Sequence, residues 1–288
     1  MDRAAILARL ATWGSAFTPE MIAGTTGLYA PLVMRPDEHR VARDLAYGPD
    51  ERHRLDIFRP EGPVEGGAPV LLFVHGGGFV MGDKGAPDVP FHNNIGAWAA
   101  SNGLVGVTMS YRLAPAHPWP AGREDVARAV GWLADGIAGH GGDPGRIFVM
   151  GQSAGATHVA DLVAAPGDAA GRFAGALMIS GLYDIARAER NQFQAAYYGP
   201  DEAGYAARSS LAGVVRGAVP CLFSVSEYDP EDFQRQAAWL VDAHVAGHGR
   251  WPEMHWLAGH NHLSSVSQIG SPHDTLGPII LDFIAGTK

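Results

Sequence analysis

A serine lies in a sharp, glycine-flanked turn near the middle of the chain. The sequence Gly-Gln-Ser-Ala-Gly at residues 151–155 follows a short apolar run and precedes a stretch with helical spacing. A strand-to-helix turn this sharp needs small residues two positions before and after its serine, and it holds that serine at a helix N-terminus. The pattern is typical of a serine nucleophile, here Ser153, although an ordinary glycine-rich turn would look the same.

A second glycine cluster, His-Gly-Gly-Gly-Phe at residues 75–79, directly follows the strongest apolar run of the chain. Consecutive glycines have no Cβ atoms, so the backbone can turn several N–H groups toward one point. Acyl transfer needs such donors, because its tetrahedral intermediate places a negative charge on the former carbonyl oxygen. A phosphate loop can also be glycine-rich, but no G-x-x-x-x-G-K-[ST] pattern follows, so the cluster favours an oxyanion hole.

A serine nucleophile also needs a base and a carboxylate that orients the base. Asp229 follows the apolar run at 219–225, and Glu227 and Asp232 are competing carboxylates beside it. His260 and His262 lie beyond the last expected strand. Residues two apart in an extended segment point the same way, so periodicity cannot choose between these histidines.

The His-x-His pattern at 260–262 also raises the question of a metal site. Zinc would need at least one further ligand in reach, and no HExxH pattern exists, so we expect neither a metal nor a cofactor. His255 lies within the last expected strand and is interpreted as a structural histidine. The hydroxyls of Ser264 and Ser265 are candidate caps for a helical turn after His262, which favours His262 as the base.

Four ordered motifs give the chain a family resemblance. HGGGF is followed by Ser-Tyr-Arg-Leu-Ala-Pro at 110–115, by Pro-Trp-Pro-Ala at 118–121 with Glu-Asp-Val at 124–126, and by Gly-Asp-Pro-Gly-Arg-Ile at 142–147. From about residue 45 to residue 288 the chain resembles α/β-hydrolase carboxylesterases of the hormone-sensitive-lipase-like branch, which overlaps the feruloyl-esterase-like and arylformamidase-like hydrolases. Gln152 and Ala116 depart from the usual pattern of the lipase-like branch, and residues 229–233 are closer to the arylformamidase-like group.

The resemblance implies a role for individual residues. Ser153 would be the nucleophile, Asp229 the orienting acid, and His262, which precedes the apolar Leu263, the base. The oxyanion hole would be formed by the backbone amides of three residues, Gly77, Gly78 and Ala154.

The elements that must position these residues alternate along the chain. Short apolar runs without polar alternation, at 69–75, 104–109, 146–150, 173–179 and 219–225, are typical of strands covered on both faces. Residues 54–59 alternate and predict a half-buried strand near an edge, and 253–257 predict a last strand. Helical stretches at 121–137, 154–165, 231–246 and 274–284 lie between or after them, and the N-terminal 17 residues predict an amphipathic helix.

This order predicts an α/β-hydrolase fold, with a mostly parallel, doubly wound sheet of about eight strands. We expect one domain over residues 1–288, with a small helical cap contributed by residues 1–40 and 183–216, which do not fit the alternation.

Composition excludes several classes of protein. The chain of 288 residues carries a formal net charge of −9 without a basic run, which argues against nucleic-acid binding. A single cysteine, Cys221, excludes an intramolecular disulfide framework. We find no apolar run long enough for a membrane span and no secretory signal, so we expect a cytoplasmic protein. The oligomeric state stays open, with a homodimer as one option.

Together these features predict a serine hydrolase of small carboxylic esters, with short acyl or aryl groups, acting through an acyl-enzyme. An arylformamidase-like amide hydrolase would use the same residues and is the alternative. A binding protein that has lost its chemistry should lack one of these groups, and this chain has them all.

Overall fold

The computed structural model describes residues 1–165 and 171–287, and the strands within them form one eight-stranded sheet. The predicted domain over 1–288 therefore includes residues 166–170 and 288, which lie outside the described residues. In chain order the strands are β1 (Val41–Ala46), β2 (Arg54–Phe58), β3 (Ala68–Val74), β4 (Val105–Met109), β5 (Gly142–Gln152), β6 (Gly175–Ile179), β7 (Cys221–Tyr228) and β8 (Glu253–Asn261).

Strand order across the sheet is β1-β2-β4-β3-β5-β6-β7-β8. Strands β3 to β8 run parallel to one another, whereas β2 pairs antiparallel with both β1 and β4. The predicted mostly parallel sheet of about eight strands is confirmed. Because the carboxyl ends of parallel strands meet at one edge, the loops after β3, β5, β7 and β8 lie at the same edge of the sheet.

Helices cover both faces of the sheet, which explains why the central strands are apolar throughout. Within β3, Val70 and Leu72 pack in one apolar core, and Leu71 and Phe73 pack in the other. The described helices are α1 (Arg3–Trp13), α2 (Pro19–Tyr29), α3 (Asn93–Ser101), α4 (Ala121–Gly136), α5 (Ala154–Ala164), α6 (Gln192–Tyr198), α7 (Leu211–Arg216), α8 (Glu231–His248), α9 (Ser264–Ser267) and α10 (Gly277–Gly286). Helices α4, α5, α7 and α8 contribute to the first core, and α3, α9 and α10 to the second.

The N-terminal segment folds as a pair of helices, α1 and α2, rather than as the one helix expected from the sequence. Asp2 and Thr18 cap the two helices through their side-chain oxygens, and Gly14, with φ 54°, ends α1. Ile6, Leu10 and other apolar residues give the pair a small core of its own. Leu7 lies against Gly259 of β8, so this helix pair sits beside the end of the sheet where β8 finishes.

Residues 183–216 form α6, two short 3-10 turns and α7. Tyr197, Tyr198 and Tyr205 pack with Phe79 of the glycine cluster in a separate apolar cluster. Helix α7 contributes Val214 and Val215 to the core of the sheet. None of the helices in the described ranges combines the length and apolarity needed to cross a membrane.

Two strands differ from the sequence prediction, one in its burial and one in its length. The strand at 54–58 is buried rather than half-buried, because β1, which the sequence pattern did not show, lies outside it in the sheet. The last strand continues to Asn261 instead of ending near Leu257, so His260 lies in a strand and not in a loop.

Candidate active site

Ser153 occupies the turn between β5 and α5. Its backbone has φ 57° and ψ −122°, a left-handed conformation that is unusual for a residue with a side chain. The Ser153 amide donates to the Ile179 carbonyl of β6 at 2.9 Å, which fixes the turn to the neighbouring strand. A strained serine between a strand and the N-terminus of a helix is the arrangement that presents a nucleophile at the top of a sheet.

The glycine cluster lies directly beside Ser153. A Cβ added to Gly76 would lie 3.1 Å from the Ser153 Cβ, so the two turns are in contact. Gly77 has φ 127°, and a side chain there would meet the Met81 carbonyl oxygen at 2.0 Å, so this turn requires glycine. The hydrogen bonds found among the described residues do not use the amides of Gly77, Gly78 or Ala154 as donors.

Asp229 and His262 form a buried pair. His262 Nδ1 lies 2.6 Å from Asp229 Oδ1, and both side chains are almost inaccessible to solvent. Since a carboxylate can only accept, the proton of this hydrogen bond belongs to Nδ1, which leaves Nε2 as the basic nitrogen of the ring. Ser180 Oγ and the Ser226 amide donate to Asp229 Oδ2 at 2.7 and 2.6 Å.

Gln152 connects the serine turn to the histidine loop. Its Nε2 donates to the His262 carbonyl at 3.0 Å, within a buried contact. The hydrogen bonds of the described residues do not include one between the Ser153 hydroxyl and the His262 ring. In enzymes without substrate, contacts of this kind are often long and tighten when substrate binds.

The competing residues have other partners. Glu227 Oε2 accepts from the Gly259 amide at 2.7 Å, and Asp232 Oδ2 accepts from the Glu189 amide at 3.0 Å. His260 Nδ1 lies 3.1 Å from Ser264 Oγ, and burial lowers its pKa to about 4. Among these groups, the structure brings only Asp229 and His262 together.

The cap of the turn after His262 differs from the expectation. Ser264 and Ser265 do not act as the N-cap of α9. Instead, Asn261 Oδ1 accepts from the amides of Leu263 and Ser264, and Ser265 Oγ donates to the His262 carbonyl at 3.0 Å. The sequence did not single out Asn261, because its role depends on the strand extending to that residue.

Three phenylalanines that the sequence did not single out surround the site. The Phe233 ring, on α8, lies 4.4 Å from the His262 ring, and the Phe17 ring, between α1 and α2, lies 5.5 Å from it. Phe193 of α6 lies over Gly78, since a Cβ on that glycine would meet its ring at 3.3 Å. A sequence signal for these contacts is lacking. Phe17 and Phe193 come from segments distant in the chain, and Phe233 reaches the His262 ring only because α8 begins just after Asp229.

Other large aromatic residues near the sequence motifs lie in different parts of the molecule. Phe79, Tyr197 and Tyr198 pack together beside the glycine cluster. Trp98 and Tyr183 lie in the two cores of the sheet. Trp119 Nε1 donates to Asp161 Oδ2 at 3.2 Å, and burial raises the pKa of that carboxyl to about 7.

Comparison with known proteins identifies the family. A family profile described as the alpha/beta hydrolase fold matches residues 71–262, which contain the glycine cluster, Ser153, Asp229 and His262. The chain belongs to the α/β-hydrolase family. The resemblance read from its motifs is confirmed.

Curated relatives of this α/β-hydrolase match over part of their length. The chain is 46% identical to Esterase LipI of Mycobacterium tuberculosis over 99 residues, which are 34% of this chain and 29% of that protein. It is 30% identical to Probable carboxylesterase 7 of Arabidopsis thaliana over 133 residues, 43% of this chain and 42% of that protein. The matches therefore span less than half of either relative.

A solved structure agrees in fold. Esterase B from Lactobacillus rhamnosis, inhibited by a C4-C4 SN3 tributyrin phosphonate, superposes with a TM-score of 0.73 and covers 99% of this chain and 96% of its own. Its sequence identity is 18%, so this similarity describes the fold of the α/β-hydrolase and not its substrate.

Proposed function

We propose that this α/β-hydrolase is a serine carboxylesterase that cleaves small carboxylic esters with short acyl or aryl groups. The observation that carries the proposal is the buried Asp229–His262 pair, joined by Gln152 to the strained turn that holds Ser153. The chain order Ser, Asp, His is the order in which this fold supplies a triad. The names of the curated relatives, an esterase and a carboxylesterase, support the same reaction.

In the first step, Ser153 Oγ attacks the ester carbonyl while His262 Nε2 takes its proton. Asp229 holds the Nδ1–H tautomer and stabilises the imidazolium. The tetrahedral intermediate collapses when the imidazolium gives its proton to the leaving alcohol, which forms the acyl-enzyme. Water then attacks the acyl-enzyme by the same route, and the acid leaves with Ser153 regenerated.

The charge that develops on the carbonyl oxygen needs donors at a fixed place. Gly77, Gly78 and Ala154 supply amides that make no hydrogen bond among the described residues, and Ala154 begins α5, where the helix dipole is positive. A single donor of this type is commonly worth about 10²–10³ in kcat. In this proposal the glycine turn serves the transition state rather than substrate binding.

Ester hydrolysis is favoured over formamide hydrolysis. Both reactions would use Ser153, Asp229 and His262, but the curated relatives named above are an esterase and a carboxylesterase. A panel of p-nitrophenyl esters with acyl chains of increasing length, assayed beside an N-formyl arylamine, compares the two directly. We expect turnover of the short esters to exceed turnover of the formamide.

The test of the nucleophile is the Ser153→Ala variant, assayed with p-nitrophenyl acetate. Its kcat should fall by roughly three to six orders of magnitude while the fold is kept. A phosphonate ester should label the wild-type protein with one equivalent at Ser153, seen by mass spectrometry of the peptides. Ser101→Ala, on the remote helix α3, is the matched control and should keep both properties. Near wild-type turnover by Ser153→Ala would falsify the proposal.

A further inference from the structure

Phe17 is an exposed aromatic residue beside the base of the proposed triad. It lies in the short connection between Gly14, which ends α1, and Thr18, which caps α2. Its ring meets the His262 ring at 5.5 Å with an interplanar angle of 78°, yet 53% of the residue is exposed to solvent. A large apolar side chain that is held against a catalytic ring and left uncovered is available to contact substrate.

Packing of the helix pair does not account for Phe17. The core of the pair is formed by Ile6, Leu10, Tyr29 and Val33, and Phe17 is absent from that cluster. Its position before the Thr18 cap does correspond to a hydrophobic staple, in which the residue preceding the cap packs on the fourth residue of the helix. That residue is Ile22, which is 38% exposed. The staple is therefore the structural alternative that a test must separate.

The chemistry of the reaction identifies which half of the ester lies beside His262. The same imidazole that removes the Ser153 proton must later give it to the leaving oxygen. The alcohol oxygen therefore comes within hydrogen-bonding distance of His262 Nε2, and the carbon attached to it lies next to the rings around that imidazole. The acyl carbon is instead bonded to Ser153, beside the glycine turn.

We propose that Phe17 is a specificity-determining residue that binds the alcohol part of the ester, an inference that rests on the proposed function. The residue would thereby select esters of apolar alcohols, such as benzyl or longer alkyl alcohols, over esters of small alcohols. Phe233, half-buried on α8, supplies a second apolar ring, 4.4 Å from the His262 ring. Covering the exposed face of Phe17 with an apolar group removes hydrocarbon surface from water, which is favourable.

The proposed contact acts in acylation and not in deacylation with water. All acetate esters form the same acetyl-enzyme, and the alcohol has left before water attacks. Phe17 should therefore affect kcat/KM, which includes acylation, and should leave kcat unchanged wherever deacylation limits turnover. By microscopic reversibility, the same surface binds an added alcohol that attacks the acetyl-enzyme, when His262 takes the proton of that alcohol and a new ester forms.

The first experiment compares two substrate ladders in wild type and Phe17→Ala. One ladder varies the alcohol at constant acetate (ethyl, butyl, hexyl and benzyl acetate), and the other varies the acid at constant ethanol (ethyl acetate, butanoate and hexanoate). We expect Phe17→Ala to lower the benzyl-to-ethyl ratio of kcat/KM about tenfold, with the acyl ratios unchanged within about twofold. Ile22→Ala, which removes the other half of the staple, should keep both sets of ratios.

The second experiment measures partition of the acetyl-enzyme. The enzyme is supplied with p-nitrophenyl acetate in the presence of benzyl alcohol or methanol, and the new ester is measured against acetic acid. Phe17→Ala should lose most of its transfer to benzyl alcohol and keep its transfer to methanol.

The possible outcomes distinguish a failure of the alcohol site from a failure of the proposed esterase function. Equal loss on every ester, loss on the acyl ladder, or the same loss in Ile22→Ala would overturn the alcohol site while leaving the esterase in place. Failure of the wild-type protein to hydrolyse any ester of either ladder would overturn the proposed function and the alcohol site together.

Discussion

Asp229 shows how strongly a single carboxylate can be fixed. It accepts from His262 Nδ1, Ser180 Oγ and the Ser226 amide at distances between 2.6 and 2.7 Å, and its side chain is fully buried. Hydrogen bonds to an ionised acceptor are stronger than neutral ones, and a buried charge needs them. Glu227, two residues earlier, accepts instead from the Gly259 amide and supports the last part of β8.

From this difference we predict that Asp229→Asn lowers kcat by about 10⁴, because an amide can donate to Nδ1 and so favour the wrong tautomer. Glu227→Gln should lower kcat by less than about tenfold, since its oxygen can still accept from the Gly259 amide. Rates with p-nitrophenyl acetate, together with thermal unfolding of each variant, check the pair. A larger loss in Glu227→Gln than in Asp229→Asn would transfer the orienting role to Glu227.

The residues of the candidate site differ in how far the sequence alone could predict them. Ser153 and the glycine cluster could be predicted because their chemistry depends on local backbone geometry, which a few adjacent residue types determine. Asp229 and His262 needed the family resemblance, since their meeting depends on two loops that come together across β7 and β8. Ser180 and Phe17 reach the pair from other segments, and no local pattern indicates contacts of that kind.

At the scale of elements, helix α6 is coupled to the glycine cluster. Phe79, with φ 70°, follows Gly77 and Gly78, and its ring stacks on the Tyr197 ring of α6 at 4.6 Å with an interplanar angle of 4°. The Ala114 amide donates to the Phe79 carbonyl at 3.0 Å, which fixes its backbone from the other side. The position of the proposed oxyanion donors thus depends on a helix outside the sheet.

We predict that Tyr197→Leu, which removes this stack, lowers kcat about tenfold with little change in KM, because displaced donors stabilise the transition state less. Tyr197→Phe keeps the ring and should restore most of kcat, although the Gly122 amide loses its hydrogen bond to the Tyr197 hydroxyl. Steady-state kinetics of both variants, with their melting temperatures, provide the measurement. A raised KM at unchanged kcat in Tyr197→Leu would show that α6 binds substrate and does not position the donors.

Elements with a continuous apolar run or a clear helical period could be predicted from the sequence, and elements with neither could not. The central strands and helices α4, α5 and α8 correspond to the expected runs. The sequence did not predict helix α3, because this helix is buried on nearly all sides and therefore lacks the exposed polar face of an amphipathic helix. The sequence did not predict strand β1, because Arg43 and Asp44 interrupt its apolar residues and none of its residues is buried at this edge of the sheet.

At the scale of the whole molecule, residues of the second and third motifs that are not part of the proposed triad connect separate elements of the fold. Arg112, from the second motif, donates to Asp125 of the third motif through its side chain and its backbone amide, and His53 Nε2 lies 2.9 Å from the same carboxylate. The resemblance indicated these positions without their function. In the structure they join the loop after β4 to α4 and to the start of β2.

Buried histidines make the stability of the whole molecule depend on pH. Burial lowers the pKa of His92 to about 4, of His158 to about 3 and of His260 to about 4, and holds the pKa of His75 well below its usual range. In the unfolded chain these groups bind protons below about pH 6.5, whereas the folded protein does not, so stability falls as the pH drops from about 6.5. The raised pKa values of three carboxyls, Asp161, Asp232 and Asp274, act oppositely, but they are three groups against four, and only that of Asp161 is raised by a large amount, to about 7.

We therefore predict that the free energy of unfolding decreases steeply between about pH 6.5 and pH 5, and that His260 accounts for about 2 kcal/mol of this loss. His260→Asn keeps a polar atom near Ser264 Oγ and cannot titrate in this range, so the unfolding free energy of the variant should depend less on pH by that amount.

Urea unfolding of both proteins at pH 7.5, 6 and 5 measures the difference, and kcat/KM at pH 7.5 is the control. Since His262 and not His260 contacts Asp229, the variant should keep most of the proposed esterase activity. An unchanged pH slope in His260→Asn would mean that His260 binds its proton equally in the folded and unfolded states. A collapse of activity would instead assign the base to His260.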